Sequence, residues 1–131
     1  MNEAYLKKRM CDTVKAALPG VVIFRHEDKF TGGIPDCSFT HSDHTCWVEV
    51  KYRRPGNPGK LTERQRLVIS RLIKHGRALV VTYVERTDGS LTVLVDKPLL
   101  KDDEMQENYV ECGRTFNHAG VADYIIEELK R

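Results

Sequence analysis

The sequence predicts a single α/β domain in which helices flank a mixed central sheet, and three observations carry that expectation. Amphipathic helical stripes stand at the start, the middle and the end of the chain. Runs in which polar and apolar side chains alternate lie between them. At 131 residues the chain is long enough to bury one real core, and nothing in it suggests a second unit.

From Asn2 to Leu18 the chain reads as a helix with Leu6, Met10, Val14 and Ala17 on one stripe, ended by Pro19-Gly20. Val21 to Arg25 is a strand, followed by a loop from His26 to Gly33 whose Gly32-Gly33 pair permits tight turning. Ile34 to Thr40 is a second strand, with Cys37 and Phe39 on an apolar side and Asp36, Ser38 and Thr40 on a polar one. If His41 to His44 closes a hairpin around Ser42 and Asp43, the strand from Trp47 to Tyr52 returns with Val48 opposite Cys37 and Glu49 opposite Asp36. The segment from Tyr52 to Lys60 mixes two prolines and two glycines with basic residues and is expected to be a mobile, cationic loop. Thr62 to His75 forms a helix with Val68, Ile69, Leu72 and Ile73 inward, stopped by Gly76. Ala78 to Val84 and Leu91 to Val95 are strands joined by a turn at Asp88-Gly89. Lys97 to Phe116 has no clear period. Asn117 can cap a last helix from His118 to Lys130, with Val121, Tyr124, Ile125 and Leu129 as its stripe. The domain thus divides into a core over about residues 3–96 and a C-terminal helical extension over about 97–131.

With 21 Lys and Arg against 19 Asp and Glu, the net charge of +2 is too small to diagnose nucleic-acid binding, but the distribution is uneven. Lys7, Lys8, Arg9 and Lys15 sit in the first helix, and Lys51, Arg53, Arg54, Lys60, Arg64, Arg66 and Arg71 form a denser basic stretch. Acidic residues gather later, around Asp102, Asp103, Glu104 and Glu107, so one surface attracts phosphate while the whole stays near neutral. No apolar stretch has the length of a membrane span and the N-terminus lacks a signal peptide's apolar segment, so a cytoplasmic protein is expected. In that reducing setting the four scattered cysteines are most simply small core residues.

The chemistry concentrates between Gly33 and Lys51. Gly33-Ile34-Pro35-Asp36 is followed, after twelve residues, by Glu49-Val50-Lys51. Side chains of a strand alternate faces, so Glu49 and Lys51 share one side. In the hairpin register Asp36 and Glu49 face each other with Cβ atoms about 5 Å apart, and like charges so placed destabilise a sheet unless a cation lies between them. A hard divalent ion, Mg²⁺ or Mn²⁺, fits, with Asp36 and Glu49 as ligands and the Val50 carbonyl completing its oxygen shell. Such an ion stabilises charge developing on phosphorus and acidifies a water, while Lys51 orients or deprotonates that water or neutralises the phosphate. Hydrolysis of a phosphodiester is the expected reaction. A surface ion pair of Glu49 with Lys51, and Asp36 as a turn residue, would leave the same letters; the Gly and Pro before the Asp, the hairpin and the basic helix after it favour the site.

Five further groups bear on it. Glu3 prolongs the stripe of the first helix by one turn, so it either points toward Asp36 or complements the helix dipole. Thr62-Glu63-Arg64-Gln65 is a capping box, in which Thr62 and Gln65 satisfy each other's backbone amides. Cys37, His41, His44 and Cys46 are favourable zinc ligands, yet in the hairpin register Cys37 and His44 lie about 13 Å apart, too far to share one ion. Trp47, on the carboxylate face, either stacks on a base or packs under a loop. Arg53, Arg54, Lys60, Arg64, Lys7 and Lys8 are the candidate phosphate contacts.

Pro35-Asp36 and Glu49-Val50-Lys51 resemble the name-giving motif of the PD-(D/E)xK nuclease superfamily. Within it, Gly33-Ile34-Pro35-Asp36, Trp47-Val48-Glu49-Val50-Lys51 and Leu61-Thr62-Glu63-Arg64-Gln65 look like the virus-type replication-repair nuclease (VRR-NUC) family, over about Glu3 to Val81. The resemblance implies a restriction-endonuclease-like core, a divalent metal on Asp36 and Glu49, a catalytic Lys51, and site roles for Glu3 and Gln65. It also implies a DNA endonuclease acting on branched structures such as four-way junctions or flaps, as a homodimer and without an organic cofactor. One site per chain fits that expectation, since two symmetric cuts need two copies; the last helix either supplies the interface or packs on its own core. Two other readings stand beside it. A non-catalytic nucleic-acid-binding module on the same fold would lack the Asp, Glu or Lys, none of which is missing here, and a sequence-specific restriction-type endonuclease shares the motif but usually needs more chain for base readout. Nothing after Thr82 takes part in the resemblance.

Overall fold

A computed structural model describes residues 3–26, 32–98, 100–101, 104–105, 110–115 and 117–130. Its elements run α1 (Glu3–Ala17), β1 (Val22–Arg25), β2 (Cys37–His41), β3 (His44–Arg53), α2 (Glu63–His75), β4 (Arg77–Glu85) and β5 (Leu91–Lys97). The short strands β6 (Leu100–Lys101) and β7 (Glu104–Met105) follow, then β8 (Val110–Thr115) and α3 (His118–Lys130). Six strands form one mixed sheet in the order β1-β2-β3-β4-β5-β8, and β6 pairs with β7 apart from it. Among the described residues only β3 and β4 run parallel within the sheet; such a pair needs a crossover, and α2 is that crossover.

The alternation read from β2 and β3 decides which layer each face meets. Cys37, Phe39, Cys46, Val48 and Val50 join Leu6, Met10 and Val14 of α1 and Val121, Ile125 and Leu129 of α3 in the main core. On the opposite face, Ile69 of α2 packs on Ala78 and Val80, with Trp47, Leu61 and Ile73 against them. The hairpin turns at Ser42 (φ 50°) and Asp43 (φ 66°), both left-handed as a two-residue turn of primed type requires, and its register sets Cys37 opposite Val48 as counted from the sequence.

Elsewhere the expected elements shift. The second strand begins at Cys37 rather than Ile34, because Pro35 has no N–H to give a ladder. Ala17 is exposed, and Cys11 takes its place in the buried stripe of α1. The loop from Tyr52 to Lys60, expected to be mobile, is a pinned turn. β3 runs on to Arg53, Arg54 and Asn57 exchange backbone bonds of 3.0 and 2.8 Å, and Arg53 Nε donates to the Pro58 carbonyl at 2.9 Å. α2 stops at an extended Gly76 (φ −172°), so this glycine is not a left-handed terminator. The segment without period contains β8, an edge strand of the sheet, and α3 buries its stripe against α1 and the sheet. The C-terminal part is therefore built into the core rather than appended to it. No helix among the described residues is long and apolar enough to cross a membrane.

Gly33 positions the segment that carries Asp36 into β2. Its φ is +78°, and a Cβ there would come within 2.8 Å of the Arg64 carbonyl oxygen, so the chain passes directly against the first turn of α2. Gly56 has a similar φ of +83° with nothing within 4 Å of such a Cβ. Gly33→Ala is expected to cost about 2 kcal/mol or more in urea unfolding and Gly56→Ala about 1 kcal/mol, the excess being the overlap with α2. Equal costs would mean that the loop retreats from Arg64 freely.

Candidate functional site

Strand alternation puts Trp47, Glu49 and Lys51 on the α2 face of β3, and the end of the β2–β3 ladder brings Asp36 beside them. In that ladder the backbone groups of Cys46, Val48 and Val50 turn toward β2. Past Cys37, β2 offers no further ladder partner, and the Asp36 side chain takes its place: Val50 N–H donates to Asp36 Oδ2 at 2.7 Å. The same parity turns the Val50 carbonyl to that side. Asp36 is thus not a ladder residue facing Glu49, as the sequence suggested, but a side-chain cap on the ladder's end.

Its other oxygen, Oδ1, accepts from Lys7 Nζ of α1 at 3.1 Å. Burial pulls the Lys7 pKa down, but the Asp36 charge and hydrogen bond outweigh it and raise it overall, so the ammonium stays charged. Glu49 is far more enclosed, with a side chain only 3% exposed. Its Oε1 lies 3.4 Å from Gln65 Nε2 and 3.9 Å from Lys51 Nζ. Its Oε2 is buried and has no hydrogen-bond partner among the described residues. Burial first, and then the negative charge of Asp36, push its carboxyl up to about 9 against the opposing pull of Lys51.

Gln65 serves both purposes weighed from the sequence. Its Oε1 accepts from Thr62 N–H at 2.9 Å, completing the capping box, and its Nε2 turns to Glu49. Glu3 stays at the rim, its side chain 45% exposed and its Oε1 3.9 Å from Lys7 Nζ. Lys8 points away and pairs with Asp12 along the exposed side of α1. Arg53, Arg54, Lys60 and Arg64 are exposed. Beside Lys51 a cavity of about 500 Å³ opens, with Arg53, Lys60, Arg66, Thr82 and Asp96 among its lining. Trp47 is covered on one side by the His26 ring, stacked 5.2 Å away.

The zinc set does not assemble. Cys37 and Cys46 are buried in the main core, His44 Nδ1 lies 3.0 Å from Arg77 Nη1, and no group of three or more His, Cys, Asp or Glu converges among the described residues. By the same count Asp36 and Glu49 are two carboxylates and no more. That suits Mg²⁺, which binds through one or two carboxylates and keeps waters or substrate oxygens for the rest of its shell. The orphaned Glu49 Oε2, the adjoining Asp36 and the Val50 carbonyl are hard oxygen donors of the right kind. The sequence counts Lys7 among the candidate phosphate contacts; the structure sets its ammonium on Asp36, inside the site. The signal was its position one helical turn after Glu3, on the face already suspected of pointing inward. Beneath it, Cys11 and Cys37 meet with sulfurs 3.7 Å apart, a contact that no sequence spacing indicated.

No protein-family model matches the chain, and a search of curated proteins finds no match. The family reading rests on the motif residues alone.

The buried Glu49 ties stability to pH. Unfolded, its carboxyl releases a proton near 4.5; folded, it holds that proton up to about 9. Across that window the folded chain binds more protons, so the stability contributed by the neutral form is present below 4.5 and lost as the pH rises toward 9. Glu49→Gln mimics the neutral form, and in EDTA at pH 8 it is expected to raise Tm by about 2 °C or more, a gain that disappears toward acid pH. A lowered Tm at pH 8 would show that the ionised carboxylate is compensated within the chain.

Proposed function

We propose that this chain is a divalent-metal-dependent DNA endonuclease that hydrolyses phosphodiester bonds, with branched DNA as its substrate class. The observation that carries the proposal is Glu49: a buried carboxyl beside a second carboxylate, one of its oxygens without a partner among the described residues, flanked by two lysines. Burying a carboxyl oxygen without a partner is costly to a fold, and perturbed carboxyl groups of this kind concentrate at functional sites. When bound, Mg²⁺ or Mn²⁺ supplies Lewis-acid stabilisation of the phosphoryl oxygens and a water of lowered pKa.

Asp36 and Glu49 hold the ion, with the Val50 carbonyl as third oxygen donor. Val50 N–H fixes Asp36 and Gln65 fixes Glu49, so each carboxylate has a hydrogen bond that sets its rotamer. Lys51, only 15% exposed and beside Glu49, orients or deprotonates the attacking water, or neutralises the phosphate. The cations around the neighbouring cavity, Arg53 and Lys60 with Arg66, lie where a strand passing the site carries its phosphates; Arg54 and Arg64 extend that surface. The preference for branched DNA, and a homodimer placing two sites on one junction, come from the family resemblance and from there being one such site per chain. The stripe of α3 is spent on its own core, so a dimer uses another surface, such as the exposed Val22 and Phe24 of edge strand β1. A cytoplasmic location belongs to the same reading.

The test is cleavage of linear, nicked, flap and four-way DNA in Mg²⁺, Mn²⁺ and EDTA by the wild type and three variants. Asp36→Ala and Glu49→Ala are expected to abolish cleavage while DNA binding persists, because the basic surface remains. Lys51→Arg is expected to keep the fold and lose roughly a hundredfold in single-turnover rate, since a planar guanidinium of fixed charge cannot replace a compact ammonium of adjustable pKa. Full cleavage by either carboxylate variant, or by the wild type in EDTA, would overturn the assignment.

A further inference from the structure

We propose that Lys7 is the resident counter-cation of the carboxylate site, displaced when a divalent ion binds and received by Glu3, so that this pair on α1 sets the metal concentration at which the site fills. The inference rests on the metal reading above.

Lys7 differs from the other basic residues of its helix. Lys8 is 68% exposed and pairs with Asp12 on the solvent side, whereas the Lys7 side chain is 20% exposed and holds Asp36 Oδ1 at 3.1 Å. Ordering a lysine costs rotamer entropy, which a charge-assisted hydrogen bond to a half-buried carboxylate offsets. Asp36 Oδ2 is already committed to Val50 N–H, so an incoming ion and the Lys7 ammonium compete for Oδ1. Lys51 does not face that competition in the same degree, since its contact with Glu49 is the longer one at 3.9 Å. Lys7 and Lys51 each lie beside a carboxyl group, so a double charge added at the site repels both ammonium groups, and the one that shares an oxygen with the ion must be placed elsewhere.

Glu3 supplies the place. Its Oε1 is already 3.9 Å from Lys7 Nζ, one helical turn away, and its side chain is 45% exposed and able to follow. Displacement is then a change of partner along α1 rather than an expulsion into solvent.

Mn²⁺ binding to the full chain, measured by calorimetry without DNA, tests this through opposite signs. Lys7→Gln is expected to tighten binding about tenfold, the scale of one lost charge-assisted hydrogen bond to the competing cation. Lys7→Arg, whose fork holds a carboxylate more firmly, is expected to weaken it. Glu3→Gln is expected to weaken binding in the wild-type background and to have no effect alongside Lys7→Gln, because the partner it receives is gone. A Lys7 that merely orients Asp36 gives the reverse: Lys7→Gln binds Mn²⁺ equally or less well, which overturns the proposal and leaves the metal reading standing. A Glu3→Gln effect that persists without Lys7 would overturn the partner exchange as simple charge attraction. No Mn²⁺ binding by wild type and Lys7→Gln alike would overturn the metal reading and this role with it.

Discussion

Two carboxyl groups set side by side at the end of a strand ladder are the constraint around which the rest of this structure is arranged. A carboxylate as enclosed as Glu49 is costly, and a second one beside it makes the cost greater. The chain does not avoid that cost by sequence or by geometry. It starts β2 only at Cys37, beyond Pro35, caps the open amide of Val50 with Asp36, and turns Glu49 inward under the start of α2. The left-handed Gly33, tight against the Arg64 backbone, lets the approach to Asp36 run close enough to make this possible.

The layers then serve the pair from both sides. α1 covers one face of the sheet with Leu6, Met10 and Val14 and sends Lys7 to Asp36. α2 covers the other with Ile69 and, through its N-terminal capping box, sends Gln65 to Glu49. The end of the β2–β3 ladder is thus reached by basic or polar groups from two helices that belong to different layers. The parallel β3–β4 pair makes this possible, because its crossover is what places the first turn of α2 over Glu49. β8 extends the sheet by pairing with β5, and α3 contributes by burying its stripe in the main core.

What could be read in the sequence follows the reach of local periodicity. The hairpin and its register were legible because alternation over β2 and β3 and a two-residue turn together permit only one pairing without turning Cys37, Phe39 and Val48 out of the core. The Thr62–Gln65 cap was legible from residue types at fixed spacing, though not that one side chain both caps and reaches Glu49. The place of Lys7 was hidden because a stripe is usually judged by its apolar members, and here a cation shares the inward face for a reason that lies in another element. The turn after β3 looked mobile from its prolines and glycines, yet these residues allow the tight path that backbone bonds then hold. β8 carries no period of its own, since its place is decided by pairing with β5.

The central claim is that Glu49 waits as a neutral buried acid and ionises onto a divalent ion. Calorimetric titration of the wild-type chain with Mn²⁺ at pH 7.5, in two buffers of different ionisation enthalpy, measures the protons released on binding. The account predicts about one proton released per ion bound, because the ion displaces the proton that burial holds on Glu49. Binding without proton release, or no binding, would contradict it.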